Sequence, residues 1–154
     1  MDDPVDILLV EDNPNDIELA LHAFKKNNVA NVIHVVRDGA EALEVLFGTG
    51  RYAQNPPPQP RVVLLDLKLP FVDGLEVLRR IKGDERLRMT PVVILTSSLQ
   101  ERDIVESYDL GANSYISKPV DFEQFNEAVR TFGLYWLLLN RAPVIPGVVR
   151  DDGR

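Results

Sequence analysis

Short apolar runs alternate along the chain with segments in which apolar residues recur every three or four positions. The runs are nearly continuous and rich in Val, Ile and Leu, a pattern typical of strands buried on both faces of a parallel sheet. We therefore predict five strands, at Val5–Val10, Val32–Val36, Val62–Leu65, Val92–Leu95 and, more weakly, Tyr115–Ile116.

The segments between these runs have the periodicity of amphipathic helices. Their spacing predicts five helices, at Ile17–Phe24, Ala40–Phe47, Leu75–Ile81, Ile104–Leu110 and Phe122–Leu139. Strict alternation of strands and helices predicts the α/β class, with a doubly wound, five-stranded parallel sheet covered by helices on both faces. Ligands of such sheets bind at the carboxyl ends of the strands, so the residues that follow each strand are the candidates for function.

The length predicts one domain, at residues 1–140, followed by a C-terminal tail at 141–154. A chain of 154 residues, 45% of them hydrophobic, can build a single core. The tail is too short to form an output domain, and we expect none. The proline-rich segment at residues 54–60 can be neither a helix nor an inner strand, so we predict a connector on the surface.

The charge balance excludes several classes of partner. A formal net charge of −7 argues against a surface for DNA or RNA and against a polybasic membrane anchor. The absence of cysteine excludes disulfides, thiolate metal ligands and a cysteine nucleophile. The chain starts without the basic region of a signal peptide, and no apolar run reaches the ~20 residues of a membrane span. We expect a cytoplasmic protein that binds neither nucleic acid nor membrane.

Three acidic residues follow two of the predicted strands. Glu11 and Asp12 come after the first strand, and Asp66 comes after the third. Like charges that converge repel one another, and a hard divalent cation such as Mg²⁺, which prefers oxygen ligands, would relieve that repulsion. A local alternative exists for the first pair, since Asn13 can cap a helix that begins at Pro14. That alternative does not explain the three carboxylates together.

A hydroxyl and an ammonium group follow two further strands. Thr96 comes at the end of the fourth, and Lys118 comes after the fifth. Both groups can pair with the oxygens of a phosphoryl group. Taken alone, each is compatible with a solvated surface position, but together with three acids at the same edge they favour a phosphoryl site.

This combination of motifs resembles the response-regulator receiver domains of two-component signalling systems, over residues 5 to about 132. The motifs that carry the resemblance are Glu11-Asp12, Asp66 with Pro70, Asp73-Gly74, Thr96, Gly111-Ala112 and Lys118-Pro119. The resemblance implies a flavodoxin-like fold with strand order 2-1-3-4-5. It also implies a signalling protein that is not an enzyme, apart from self-catalysed phosphoryl acceptance and autodephosphorylation.

The resemblance further implies a role for each site residue. Asp66 would be the phosphoacceptor, which receives a phosphoryl group from a sensor histidine kinase. Asp12 and Asp66 would bind Mg²⁺ directly, Glu11 would act through water, and the main-chain carbonyl of Lys68 would be a further ligand.

The remaining roles concern the switch between two states. Lys118 would contact the phosphoryl group, and Thr96 would turn toward it on activation. Tyr115 would be the aromatic residue that moves inward with Thr96, although an ordinary half-buried strand tyrosine is the alternative. The face formed by the fourth helix, the fifth strand and the fifth helix would carry the signal to a target.

A narrower resemblance concerns the partner. The proline-rich loop, the run at residues 112–122 and the expected absence of an output domain are similar to the small regulators that partner phytochrome-type kinases. A phytochrome-type histidine kinase is therefore the expected phosphodonor.

Other function classes fit less well. A Mg²⁺-dependent phosphatase of the haloacid-dehalogenase type also uses an aspartate nucleophile, but it needs a second aspartate where this chain has Lys68. The glycine-rich motifs of nucleotide-binding folds do not follow any predicted strand. A receiver-like interaction module that is not regulated by phosphate stays open, although Thr96 and Lys118 beside the acids argue against it.

The last predicted helix suggests self-association. One stripe of apolar residues serves the domain core, and beyond Phe132 the opposite side is apolar as well, at Leu134, Tyr135, Leu137 and Leu138. A helix that is apolar all round must be covered on both sides. We expect a homodimer through the region of the fourth and fifth helices, and the alternative is that residues 141–154 fold back over these side chains.

Overall fold

The computed structural model describes residues 7–27, 32–96, 106, 108–112, 114–117, 123, 126, 127 and 130. The predicted alternation of strands and helices is confirmed over this part of the chain. The strands are β1 (Ile7–Val10), β2 (Ile33–Val36), β3 (Val62–Leu65), β4 (Val92–Thr96) and β5 (Ser114–Ser117). The helices are α1 (Pro14–Asn27), α2 (Gly39–Phe47) and α3 (Gly74–Lys82), and a single 3-10 turn follows α2 at Gly50–Tyr52.

The predicted fourth and fifth helices fall mostly outside the described residues. The described positions within them are helical, at Glu106, Tyr108 and Asp109 for the former and at Glu123, Asn126, Glu127 and Arg130 for the latter. Within the described part of the chain, no helix combines the length and the apolar character that a membrane span requires.

The five strands form one parallel sheet in the order β2-β1-β3-β4-β5, as predicted. The chain leaves β1 toward β2 on one side and later returns to place β3 on the other, so the order reverses at β1. Val10, the last residue of β1, is in register with Leu65, the last residue of β3. The carboxyl ends of these two strands therefore form a crevice at the switch point of the sheet, where α/β proteins bind ligands.

The sheet is buried on both faces, which explains its continuous apolar strands. Ile7 and Leu9 of β1 pack on one side, in a core that contains the inner face of α1. Leu8 and Val10 pack on the other side, in a core built with α2 and α3. Successive side chains of a strand point to opposite faces, so one short strand supplies both cores. This two-sided burial holds the strand ends at fixed positions.

α1, α2 and α3 begin near the carboxyl edge, and each has a capping side chain. Asn13 Oδ1 accepts hydrogen bonds from the amides of Asn15 and Asp16, at 2.8 and 3.1 Å, as predicted for the start of α1. Asp38 caps α2, and Asp73 caps α3 by accepting from the Glu76 amide at 3.0 Å. A cap of this kind stabilises a helix by about 1 kcal/mol.

The proline-rich segment at residues 54–60 is a connector without helix or strand, and most of it is exposed. Gln59 Nε2 donates to Thr90 Oγ1 at 3.0 Å and ties the connector to the turn before β4. Half-buried Lys82 donates to the carbonyls of Arg88 and Thr90, and burial lowers the pKa of its ammonium group. These contacts lie at the amino end of the sheet, away from the acidic residues.

Candidate functional site

Glu11, Asp12 and Asp66 converge at the carboxyl ends of β1 and β3. One carboxylate oxygen from each residue lies within 4.8 Å of the other two. The sheet hydrogen bonding continues one residue past each strand, because the Glu11 amide donates to the Val36 carbonyl and the Asp66 amide to the Val10 carbonyl, both at 3.0 Å. The main chain therefore fixes the two buried acids side by side, as the sequence predicts.

Two of the three carboxylates are buried, and main-chain amides support both. Glu11 is 1% exposed and Asp66 is 4% exposed, whereas Asp12 lies on the surface. The Asn13 amide donates to Glu11 Oε2 at 3.2 Å, and the Lys68 amide donates to Asp66 Oδ1 at 3.0 Å. A buried charge is costly unless hydrogen bonds or an opposite charge compensate it. The amides supply part of that compensation, and a cation at the cluster would add to it.

The connection from β3 to α3 is closed tightly around Asp66. The Gly74 amide donates to the Leu67 carbonyl at 2.9 Å. A Cβ atom at Gly74 would lie 2.3 Å from the Asp66 carbonyl oxygen and 2.5 Å from Leu67 Cα. The first turn of α3 can approach the main chain of the acidic site this closely because residue 74 has no side chain.

The start of α2 contacts the same connection. The Gly39 amide donates to the Pro70 carbonyl at 3.4 Å, and a Cβ atom at Gly39 would lie 1.8 Å from the Val72 carbonyl oxygen. The residue pattern of the chain does not by itself predict Gly39 as part of the site. A signal was present, since glycine at the first position of a helix lowers its stability relative to alanine and thus indicates a close approach of main chains.

An open pocket of about 530 Å³ adjoins the acidic cluster. Its lining combines charged and apolar side chains, from Asp12, Leu67, Lys68, Leu69, Pro70, Asp73 and Leu75. A pocket of this size has room for a phosphoryl group and for the side chain that delivers it. The pocket meets the acidic cluster at Asp12, whereas Asp66 itself is almost completely buried.

The other predicted site residues are placed only in part. Thr96 is the last residue of β4 and is in register with Ser117, and Tyr115 is in register with Ile94. The main chains of β4 and β5 thus end at the same edge as the acids. The side chains of Thr96 and Tyr115 lie outside the described part of the structure, as does Lys118. Lys68 lines the pocket, and its carbonyl as a metal ligand stays a prediction.

Comparison with known proteins decides the family. The family of response regulator receiver domains matches residues 7–130. The chain belongs to this family. Receiver domains of this family are two-component response regulators, so this chain takes part in phosphorelay signalling as the resemblance implies. The match favours this function over the alternative of a haloacid-dehalogenase-type phosphatase.

Three relatives illustrate the similarity. The probable methanogenesis regulatory protein FilR2 of Methanothrix harundinacea is 45% identical over 92% of this chain and 90% of its own length. The phosphorylated cyanobacterial phytochrome response regulator RcpA is 40% identical, with a TM-score of 0.78 over 94% of this chain and 99% of RcpA. Response regulator Rcp1 of Synechocystis, solved with Mn²⁺ bound, is 36% identical, with a TM-score of 0.79 over 93% and 99% of the two chains.

Proposed function

We propose that this receiver domain accepts a phosphoryl group on Asp66 from the phosphohistidine of a sensor histidine kinase. The observation that carries the proposal is the buried Asp66 carboxylate, which lies beside two further acids, one of them Asp12 in the lining of the pocket at the switch point of the sheet. An Asp66 carboxylate oxygen attacks phosphorus, and the bond from phosphorus to the histidine nitrogen breaks. The imidazole leaves with the electron pair of that bond and takes up a proton, and Asp66 becomes an acyl phosphate.

The acidic cluster fits a divalent cation, and we propose Mg²⁺. Three carboxylate oxygens within 4.8 Å of one another are ligands of the kind that Mg²⁺ prefers. Asp12 and Asp66 would hold the ion directly, Glu11 through water, and the carbonyl of Lys68 would complete the protein ligands. When bound, Mg²⁺ supplies positive charge next to the oxygens of the transferring phosphoryl group. The Mn²⁺ bound to Rcp1 supports a divalent ion here.

The protein itself orients the nucleophile. The amide of Lys68 fixes one oxygen of Asp66, and the amide of Asn13 fixes Glu11. Positioning and electrostatics supply most of the catalysis in phosphoryl transfer, so a carboxylate with little freedom suits the reaction.

The switch uses residues at the neighbouring strand ends. Thr96 and Lys118 would bind phosphoryl oxygens, and Tyr115 would move inward when Thr96 turns toward the phosphate. Because one conformation lets Thr96 donate to the phosphate, phosphorylation favours that conformation. The face of the fourth helix, β5 and the fifth helix then signals to a target.

Mg²⁺ at millimolar concentration should raise the melting temperature of the wild-type protein, because the ion binds the folded cluster and not the unfolded chain. Asp12→Asn should lose most of this shift while keeping the volume of the side chain. Without metal, the variant should be at least as stable as wild type, since one of three repelling charges is gone. Thermal melts with and without Mg²⁺ measure both effects. An equal shift in wild type and Asp12→Asn would place the ion elsewhere.

The phosphodonor that we propose is a phytochrome-type histidine kinase. The structural match to RcpA, a phytochrome response regulator, extends over 94% of this chain and supports this choice. Since such kinases consume ATP, we place the exchange in the cytoplasm. The alternative is a histidine kinase of another type, because the chain is also similar to FilR2, a probable methanogenesis regulatory protein. Transfer from a phytochrome-type kinase should be faster than transfer from an unrelated histidine kinase, and equal rates would contradict this choice.

We also propose that residues 1–140 form the receiver domain and that the domain is a homodimer. The apolar residues that support a dimer, Leu134, Tyr135, Leu137 and Leu138, lie outside the described part of the structure. Sedimentation at micromolar concentration should show a dimer, and Leu134→Glu combined with Leu138→Glu should convert it to a monomer that is still phosphorylated. A monomeric wild type would instead indicate that residues 141–154 cover these side chains.

A further inference from the structure

Phe71 lies on the connection from β3 to α3 in a conformation that is unusual for its type. Among the residues that the structure describes, Phe71 is the only non-glycine residue with a positive φ, which is +68°. The Val72 amide donates to the Pro70 carbonyl at 2.8 Å, so the main chain makes a three-residue turn with Phe71 at its centre. Glycine and asparagine adopt this conformation readily, whereas a bulky side chain strains it.

The folded domain gains little packing from this aromatic ring. Phe71 is 88% exposed, the most exposed of the large hydrophobic side chains in the described part of the chain. Its neighbours are fixed, because Pro70 accepts from the Gly39 amide and Val72 lies against Gly39. The ring is thus held away from the domain on a rigid support, and a residue that strains the main chain without packing points to a function outside the fold.

Phe71 belongs to the connection that borders the acidic cluster. Pro70 and Asp73, on either side of Phe71 in the chain, both line the pocket beside the acidic cluster. Because Asp66 is 4% exposed, a protein that brings a phosphohistidine to it has to press against the rim of this pocket. Phe71 lies in the chain between two residues that line the pocket, so we expect such a donor to contact it.

We propose that Phe71 is a docking residue for the phosphodonor protein, with its ring packed against an apolar patch beside the phosphohistidine. The inference rests on the proposed phosphorylation of Asp66. Exposed aromatic residues on rigid supports are frequent hot spots of protein interfaces, since they bury a large area at little entropic cost. A small phosphodonor such as acetyl phosphate has no surface that reaches the ring. Phe71 therefore affects transfer from the kinase and leaves transfer from acetyl phosphate unchanged.

The test compares two phosphodonors on the full chain. One donor is a phytochrome-type histidine kinase that phosphorylates the wild-type protein, preloaded with radioactive phosphate from ATP, and the other is acetyl phosphate. Phe71→Asn should slow transfer from the kinase at least tenfold, while labelling by acetyl phosphate stays within twofold of wild type. Its melting temperature should equal or exceed that of wild type, because asparagine adopts a positive φ with less strain than phenylalanine. Phe71→Leu should keep most of the kinase rate.

A matched control is available at the other end of the sheet. Met89 is 81% exposed and precedes β4, so Met89→Asn removes a comparable apolar side chain far from Asp66 and should leave both rates unchanged. Unchanged kinase transfer in Phe71→Asn would overturn the proposal, as would an equal loss with both donors. A change in oligomeric state on sedimentation would assign the ring to a second copy of the chain instead. Failure of acetyl phosphate to label wild type at Asp66 would contradict the proposed function itself.

Discussion

Asp66→Asn should abolish the hydroxylamine-sensitive labelling of this protein by acetyl phosphate. Asparagine has nearly the volume of aspartate, and its side-chain oxygen can still accept from the Lys68 amide as Asp66 Oδ1 does at 3.0 Å. The fold should therefore persist. The amide is not a nucleophile, so no acyl phosphate forms, and incorporation of radioactive phosphate should fall to background.

The control for this experiment is Asp73→Asn. Asp73 lines the same pocket and caps α3, and asparagine caps helices about as well as aspartate. Labelling of Asp73→Asn should stay close to that of wild type. Persistent labelling of Asp66→Asn would move the phosphoacceptor to another residue. No labelling of wild type would favour a receiver-like module that phosphate does not regulate.

The sequence predicts the sheet well because each strand carries its own signal. A strand buried on both faces must be apolar throughout, and Val62–Leu65 has the predicted bounds. The bounds of other elements shift by one to three residues, since capping and register decide them: α2 begins at Gly39, next to its cap Asp38, β4 extends to Thr96, and α1 runs from Pro14 to Asn27. Convergence of the acids follows from the same logic, because the ends of adjacent parallel strands lie at one edge.

Features that depend on contacts between distant segments are much harder to predict. Gly39 is close to Val72 because α2 and the connection after β3 meet in space, and no local pattern encodes that contact. The positive φ of Phe71 contradicts the preference of its residue type, so propensity predicts the opposite. The roles of Thr96, Tyr115 and Lys118 come from the family resemblance and concern a change between two states. Such a change leaves no periodicity in the chain.

Gly74→Ala should both destabilise the protein and slow its phosphorylation. The added Cβ would lie 2.3 Å from the Asp66 carbonyl oxygen and 2.5 Å from Leu67 Cα, and both neighbours are main chain, so the β3–α3 connection has to move. Overpacking of this kind costs about 1–3 kcal/mol, and the better helix propensity of alanine returns about 1 kcal/mol. We expect a net loss of up to about 2 kcal/mol, and a melting temperature lower by up to roughly 4–8 °C for a domain of this size.

The matched control is Gly83→Ala, at the other end of the same helix. There the closest atom to an added Cβ is the Arg79 carbonyl oxygen at 3.2 Å, and Gly83 has a φ of −87°, which alanine adopts without strain. Its melting temperature and its labelling by acetyl phosphate should stay near those of wild type. If Gly74→Ala matched Gly83→Ala in both measurements, the connection that carries Asp66 would be able to move aside for the added Cβ without loss of stability or of labelling. The close approach of α3 would then play no part in holding the phosphoacceptor in place.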